Sequence, residues 1–445
     1  MQYNQLEGII PPTLFQCRAL QQLSLAQNKF SGDMPKLLGM RPELEELSLS
    51  FNSFTGSIPV EIGNLTKLKE LYLGSNNLTG SIPPSIGNIS RLEIVSCSRS
   101  SLKGGIPQEL GNFFNISQLD FDFNNLTGVI PDRLFNISFL RLFAFTSNRL
   151  SGAIPTTTGL WLPKLEGIFL ADNQLSGEIP ISISNASNLL ELELSQNFFT
   201  GSIPDNLGSL TQLQFINLEN NLLSNEPGKL ELNFLSSLVD CRSLQFLVLG
   251  FNRLTGILPS SVGNLSASIQ MFNIQNAQVK GNIPLGIGNL SDMITLVLSN
   301  NELSGTIPST IGQLKNLQRI HLENSGLQGS IPNELCNLNQ LGELHLRDCN
   351  ISGSIPNCIG NLSQLSDIAL QSNKLTSLIP FSLWSLGNLE ALNLSHNSLG
   401  NELPTEVGRL GVIEEIDLSW NRMSSNIPST IGDLQRLDQD SNPIT

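Results

Sequence analysis

The stretch LTGSIPPSIGNIS at residues 78–90 recurs along the chain as FTGSIPDNLGSL (199–210), LSGTIPSTIGQL (303–314) and ISGSIPNCIGNL (351–362). Read back from Gly80, it extends to LKELYLGSNNLTG, which has the form L-x-x-L-x-L-x-x-N-x-L-x-G. The asparagine of that pattern falls at Asn28, Asn52 and Asn76, a step of 24 residues. It returns at Asn124, Asn148, Asn173, Asn197 and Asn221, then at Asn252, Asn301, Asn373, Asn397 and Asn421. Asn4 begins the column, and Ser100, Ala277, Ser325 and Cys349 hold the same register. A unit this short cannot bury its own apolar side chains, so the units must stack and share one core.

Each residue type in the unit has a task. Leu71 and Leu73 alternate with Glu70 and Tyr72, the period-two pattern of a strand with one buried face. After the strand the chain turns inside the stack, where an asparagine can both donate to and accept from neighbouring turns. Gly80 permits a tight backbone, and Pro83 removes an N–H and discourages a helix on the return arm. Ile86 and Ile89 then point back into the core. The spacing predicts a parallel sheet with one strand per coil, and little helix except near 231–240.

The pattern resembles the plant-type extracellular leucine-rich repeat, marked by L-x-G-x-I-P, over nearly the whole chain. The resemblance implies an α/β solenoid, a right-handed superhelix with a concave parallel β-sheet and a second short-strand face beside it. The eighteen register positions imply about 18 coils, a single solenoid over 1–445 and an arc on the order of 80 Å. One coil is long: Asn221 to Asn252 spans 31 residues. It lacks the Gly-x-Ile-Pro unit, and Phe234, Leu235, Leu238 and Val239 have helical spacing there. The segment FLSSLVDCRSLQFLVLGFNRLTGILPSSVGNLS is similar to the receptor-kinase subgroup containing the elongation-factor Tu- and flagellin-type immune receptors. Such an ectodomain opens and closes with cysteine-containing caps, which are missing here, as are a membrane helix and kinase motifs. The end, RLDQDSNPIT, fades out of the repeat. A fragment or truncated product is therefore expected.

Composition narrows the partners. A net charge of −14 lacks the basic patches that nucleic acid or an anionic membrane requires, so neither is expected as a direct contact. No run of about 18 apolar residues is present to cross a bilayer. Twelve N-x-S/T sequons stand at Asn64, Asn77, Asn88, Asn115, Asn125, Asn136, Asn185, Asn264, Asn289, Asn350, Asn361 and Asn393. Although the GNLS phrase generates several by itself, they fit a glycosylated extracellular surface. Asn393 is expected to point from the concave strand. Cys17, Cys97 and Cys241 replace core apolar residues and read as buried free thiols, and Cys349 stands in the asparagine column. Cys336 and Cys358 lie on return arms of adjacent coils, close enough for a disulfide, with free thiols as the alternative.

No nucleophile–histidine motif supports catalysis, and no cofactor is expected. Exposed positions of the concave strands are free of core duty and are where recognition is expected. In the middle coils these are Glu191, Glu193, Phe215, Asn217, Glu219, Phe246, Val248 and Phe251, acids beside exposed aromatics. Further on, Arg319, His321, Glu323, Glu343, His345 and Arg347, with Asp348, form a mixed-charge band. His321 and His345 occupy the same position in successive coils, so their rings should be neighbours. A metal site with Glu323 or Glu343 is considered there, but ordinary polar roles toward a ligand are the expectation. Arg319-x-His321 loosely resembles the paired arginines with which some relatives hold a peptide carboxylate.

The resemblance implies the apoplastic recognition module of a plant receptor-like kinase, in immune or developmental signalling. It would bind a peptide or protein ligand, together with a shorter leucine-rich-repeat co-receptor. A secreted inhibitor of microbial wall-degrading enzymes uses the same coil and is the alternative.

Overall fold

The computed structural model describes residues 1–437, the Asn401 side chain excepted; the fading end expected at RLDQDSNPIT lies, from 438 onward, outside the described residues. The chain divides into two compact units, Met1–Leu223 and Ser224–Thr445, built from the same coil.

In the coil of Asn76, the strand Glu70–Tyr72 is parallel to Glu46–Ser48 before it and Ile94–Ser96 after it, with Leu71 opposite Leu47 and Val95. Leu71, Leu73, Ile86, Ile89 and Leu92 are fully buried, so successive coils share one apolar interior. In the first unit this principal sheet runs from Gln22–Ser24 to Phe215–Asn217, and in the second from Phe246–Val248 to Glu415–Asp417. The in-register pairing keeps every leucine inside, since a one-residue slip would expose them all.

The asparagine column closes the turn after each strand. Nδ2 of Asn76 donates to Leu73 O at 2.9 Å in its own turn and to Leu49 O at 3.1 Å in the preceding coil. Its Oδ1 accepts from the Phe54 N–H at 3.1 Å. Asn148 and Asn197 repeat this in the first unit, Asn301 and Asn397 in the second. The residue before each column position is left-handed, as at Phe51 (φ 56°), Ser75 (φ 55°) and Trp420 (φ 52°). That conformation costs a side-chain-bearing residue roughly 1 kcal/mol, which the asparagine bonds offset where the column position holds an asparagine.

Beyond the column the chain makes a second short strand, such as Lys29–Asp33 or Arg149–Ala153, and then one turn of 3-10 helix. Pro83, extended at φ −72°, precedes the turn Pro84–Asn88, and Ile89 N–H closes it on Ile86 O. The return arm thus carries a single 3-10 turn, where little helix was expected outside 231–240. Gly87 is required there, because a Cβ would meet Glu109 O of the next arm at 2.3 Å. Gly80, at φ +81°, supplies the bend that the sequence assigned to it. The long coil carries the α-helix Asn233–Ser237 and the 3-10 turn Leu238–Asp240. Phe234, Leu235 and Leu238 are buried there and Val239 is half-buried.

Candidate functional site

In the first unit, the strands Glu191–Glu193 and Phe215–Asn217 carry the acidic candidates. Glu191 stands exposed opposite the half-buried Phe215. Glu193 is committed: its Oε2 accepts from Asn217 Nδ2 at 2.9 Å and its Oε1 from Ser195 N–H at 2.9 Å. Asn217 Oδ1 accepts in turn from Glu219 N–H at 3.1 Å. Burial, then the charge of Glu193, pushes the Glu219 carboxyl up. This face offers acids held by neutral donors.

The remaining middle candidates lie in the second unit. Phe246 is half-buried, and Phe251, 42% exposed, sits in the left-handed turn before Asn252 rather than on the strand. Val248 corrects the sequence reading, for it is buried at 8% exposure. A short branched side chain lies close to the sheet and is screened by longer neighbours; Val297 behaves likewise.

Three strands further on, Arg319–His321, Glu343–His345 and Asp367–Ala369 lie side by side, with Arg319 opposite Glu343 and His321 opposite His345. Arg319 Nε donates to Glu343 Oε1, and His321 Nε2 meets Oε2 of the same carboxylate, both at 2.9 Å. One coil on, His345 Nε2 meets Asp367 Oδ2 at 2.9 Å. The two imidazoles stack, their centroids 4.3 Å apart and their planes 11° from parallel. Burial alone would raise the Glu343 carboxyl, but the hydrogen bonds from Arg319 and His321 outweigh it and hold the carboxyl below its usual range. Burial opposes the charge on His345, yet Asp367, with Glu323 and Glu343, lifts its pKa. Arg347 and Asp348 remain exposed beside the band. Glu323, expected to face a ligand, is enclosed at 6% exposure, and its Oε2 has no hydrogen-bond partner. His321, Glu323 and His345 each bring a donor atom within 4.8 Å of the others, so an ion could be held there. Asp367 escaped the sequence reading although it shares the register of Arg319 and Glu343 one strand on. That register was the available signal.

A disulfide joins Cys336 to Cys358 across successive 3-10 turns, with Cα atoms 5.8 Å apart. Cys97, Cys241 and Cys349 are buried thiols outside any disulfide, whereas Cys17 is exposed. Its counterparts at the same point of later coils, Leu65 and Ile89, are packed from both sides, and the coil of Cys17 is packed from one. Ten of the sequon asparagines are exposed, while Asn125 and Asn393 are half-buried. Asn64, Asn88, Asn136, Asn185, Asn264, Asn289 and Asn361 close 3-10 turns on the return arms, away from the principal sheet. Asn393 stands on a principal strand, its Oδ1 bonded to the Ser395 N–H and hydroxyl.

Comparisons with known proteins agree with this architecture. Family models described as leucine-rich repeats match residues 42–87, 188–210, 243–265, 293–314, 316–338, 341–399 and 413–434. Receptor-like protein 41 of Arabidopsis thaliana is 35% identical over 141 residues, which are 32% of this chain and 15% of that protein. The LRR receptor-like serine/threonine-protein kinase EFR, also of Arabidopsis thaliana, is 35% identical over 89 residues, 20% of this chain and 8% of the kinase. The matched stretches are thus a small part of these relatives' length. The crystal structure of the Arabidopsis receptor kinase HAESA, solved with the peptide hormone IDA and the co-receptor SERK1, superposes with a TM-score of 0.91. It is 34% identical and covers 98% of this chain and 72% of the HAESA chain. On the repeat, the asparagine column and this match, the chain belongs to the leucine-rich-repeat family of plant receptor ectodomains.

Proposed function

We propose that residues 1–445 act as one extracellular recognition module of a plant receptor-like kinase. The module binds a peptide or protein ligand on the concave strand face, in immune or developmental signalling at the apoplastic side of the plasma membrane. A shorter leucine-rich-repeat co-receptor joins the complex, as SERK1 joins HAESA and IDA. The observation that carries the reading is the band from Arg319 to Asp367. Its charged side chains contribute nothing to the leucine core, yet adjacent strands hold them in defined pairs. Both histidines and both of their carboxylate partners remain partly open to solvent. In the first unit Glu191, Glu193, Phe215, Asn217 and Glu219 extend the recognition face, and in the second Phe246, Phe251 and Arg347 do so, whereas Val248 and Glu323 lie beneath it. Sequons on the return arms leave the principal strands clear of glycans, with Asn393 the exception.

The test uses a panel of synthetic secreted plant peptides, IDA among them, titrated calorimetrically against the chain and its Arg319→Ala, Arg347→Ala and Phe251→Ala variants. Hydrogen exchange then maps any bound peptide. A binder should protect principal-strand amides and lose about 30-fold in affinity, ~2 kcal/mol, at one or more of these positions. Protection confined to the return arms, or affinity untouched by all three variants, would sink the reading.

A further inference from the structure

The stacked histidines and the enclosed Glu323 ask for something more than a polar face. Glu323 is a buried carboxylate with an oxygen that no protein group satisfies, an arrangement that is costly unless a cation completes it. The groups around it are His321 and His345, whose donor atoms lie within 4.8 Å of its own. Each imidazole has already committed one nitrogen: Nε2 of His321 to Glu343 and Nε2 of His345 to Asp367. The nitrogen left to each ring is Nδ1.

We infer that His321 Nδ1, His345 Nδ1 and a carboxylate oxygen of Glu323 form a binding site for a divalent transition cation, Zn²⁺ in the first instance. Two imidazoles and a carboxylate are a donor set that suits zinc and leave a fourth tetrahedral position open. The outer contacts fit as well. A metal-bound imidazole ordinarily donates its other N–H to a carboxylate, which fixes the tautomer and strengthens the ligand. Glu343 and Asp367 stand where that role requires them, one for each ring. Three carboxylates, Glu323, Glu343 and Asp367, face the cluster against one paired guanidinium, that of Arg319, so the local charge favours a dication.

The geometry sets what must move. Zinc ligands at ~2.1 Å stand about 3.4 Å from one another, closer than the present spread of up to 4.8 Å. The two parallel rings must therefore fan together at their Nδ1 edges, each pivoting on the carboxylate that holds Nε2. Such side-chain rotation leaves the strand register intact. The histidine side chains are 23% and 21% exposed, so the open fourth position is within reach of water or of an acidic group on a bound ligand. This site stands on its own geometry and does not depend on the receptor reading.

The experiment titrates ZnCl₂ alone, by calorimetry, into the full chain after chelator treatment, with Co²⁺ and its visible d–d absorption as a report of coordination. The native chain should take up one equivalent and give a tetrahedral Co²⁺ spectrum. His321→Gln, His345→Gln and Glu323→Gln should each weaken zinc by about 100-fold and abolish that spectrum, and Asp367→Asn should weaken it by about 10-fold. His396→Gln, outside the cluster, should change nothing. Circular dichroism checks the fold of each variant. Should Glu323→Gln fail to fold, the variants of the partly exposed histidines carry the test. Absence of uptake by the native chain, or the same zinc affinity in His321→Gln and His345→Gln as in the native chain, overturns the inference.

Discussion

Coils 121–173 in the first unit and 322–373 in the second follow the same pattern but hold together differently. In the former, Asn148 Nδ2 bonds Phe121 O and Phe145 O while its Oδ1 takes the Leu126 N–H, so one buried side chain stitches two coils. In the latter, the column passes through Ser325 and Cys349. Ser325 Oγ reaches Leu322 O at 2.9 Å, and Cys349 Sγ lies 3.2 Å from that hydroxyl and 3.6 Å from Leu322 O, a weaker set. The disulfide Cys336–Cys358 joins the return arms of these same two coils. The faces differ in parallel. Asp122 is held by the Thr146 N–H, and its neighbour Asp120 accepts from the Ser96 hydroxyl, whereas Glu343 and Asp367 are held by Arg319 and the histidines. The coil needs only its leucines and some link between turns; both the link and the face can be rebuilt in different chemistry.

The sharpest way to break the comparison is Asn148→Ala. It strands the Leu126 N–H and carbonyls of two coils in a buried site, and should cost about 4 kcal/mol by urea unfolding. A cost under about 1 kcal/mol would mean the column is not what links the first region. Next is the double change Cys336→Ser, Cys358→Ser, which opens a loop of sequence separation 22 and should cost about 3 kcal/mol. Hydrogen exchange should quicken at 327–362 and stay unchanged at 121–173; equal quickening in both would deny the bridge its local role.

The third prediction concerns charge. Burial pushes the Asp122 carboxyl up to about 6, with Asp120 adding to the rise and the Thr146 N–H opposing it. An unfolded aspartate titrates near about 3.9. The folded state therefore binds the extra proton, and stability falls as pH rises from about 4 to about 6. After discounting for solvent screening, the loss is on the order of 1 kcal/mol. Asp122→Asn should flatten this part of the pH–stability curve; an unchanged slope would show that the group does not titrate as its burial implies. The smallest effect is expected at Cys349→Ala, under about 1 kcal/mol, since only three weak sulfur contacts are lost. A cost matching that of Asn148→Ala would erase the difference between the regions.

The register of the repeat was legible, and with it which residues would be adjacent across strands: His321 beside His345, Cys336 near Cys358. The choices among neighbours were not. Glu343 could have paired with either histidine, and it takes Arg319 and His321, leaving His345 to Asp367. Glu323 was read as exposed because it alternates with leucines, but alternation says nothing of how high the neighbouring side chains stand. The left-handed turn was also hidden, because Phe51, Phe251, His396 and Trp420 carry no marker of positive φ. The turn belongs to the coil itself, since Arg99, Asn276, Asn324 and Asp348 take the same conformation before Ser100, Ala277, Ser325 and Cys349.

Leucine spacing, the asparagine column and the glycine–proline phrase by themselves determined the coil, its stacking and the parallel strands. Those are demands of burial and hydrogen-bond satisfaction that recur in every unit. The depth of Glu323, the screening of Val248 and the partner taken by each imidazole were decided only by the tertiary structure. They depend on the lengths and rotamers of side chains more than 20 residues apart in sequence, brought within about 4.8 Å by neighbouring strands.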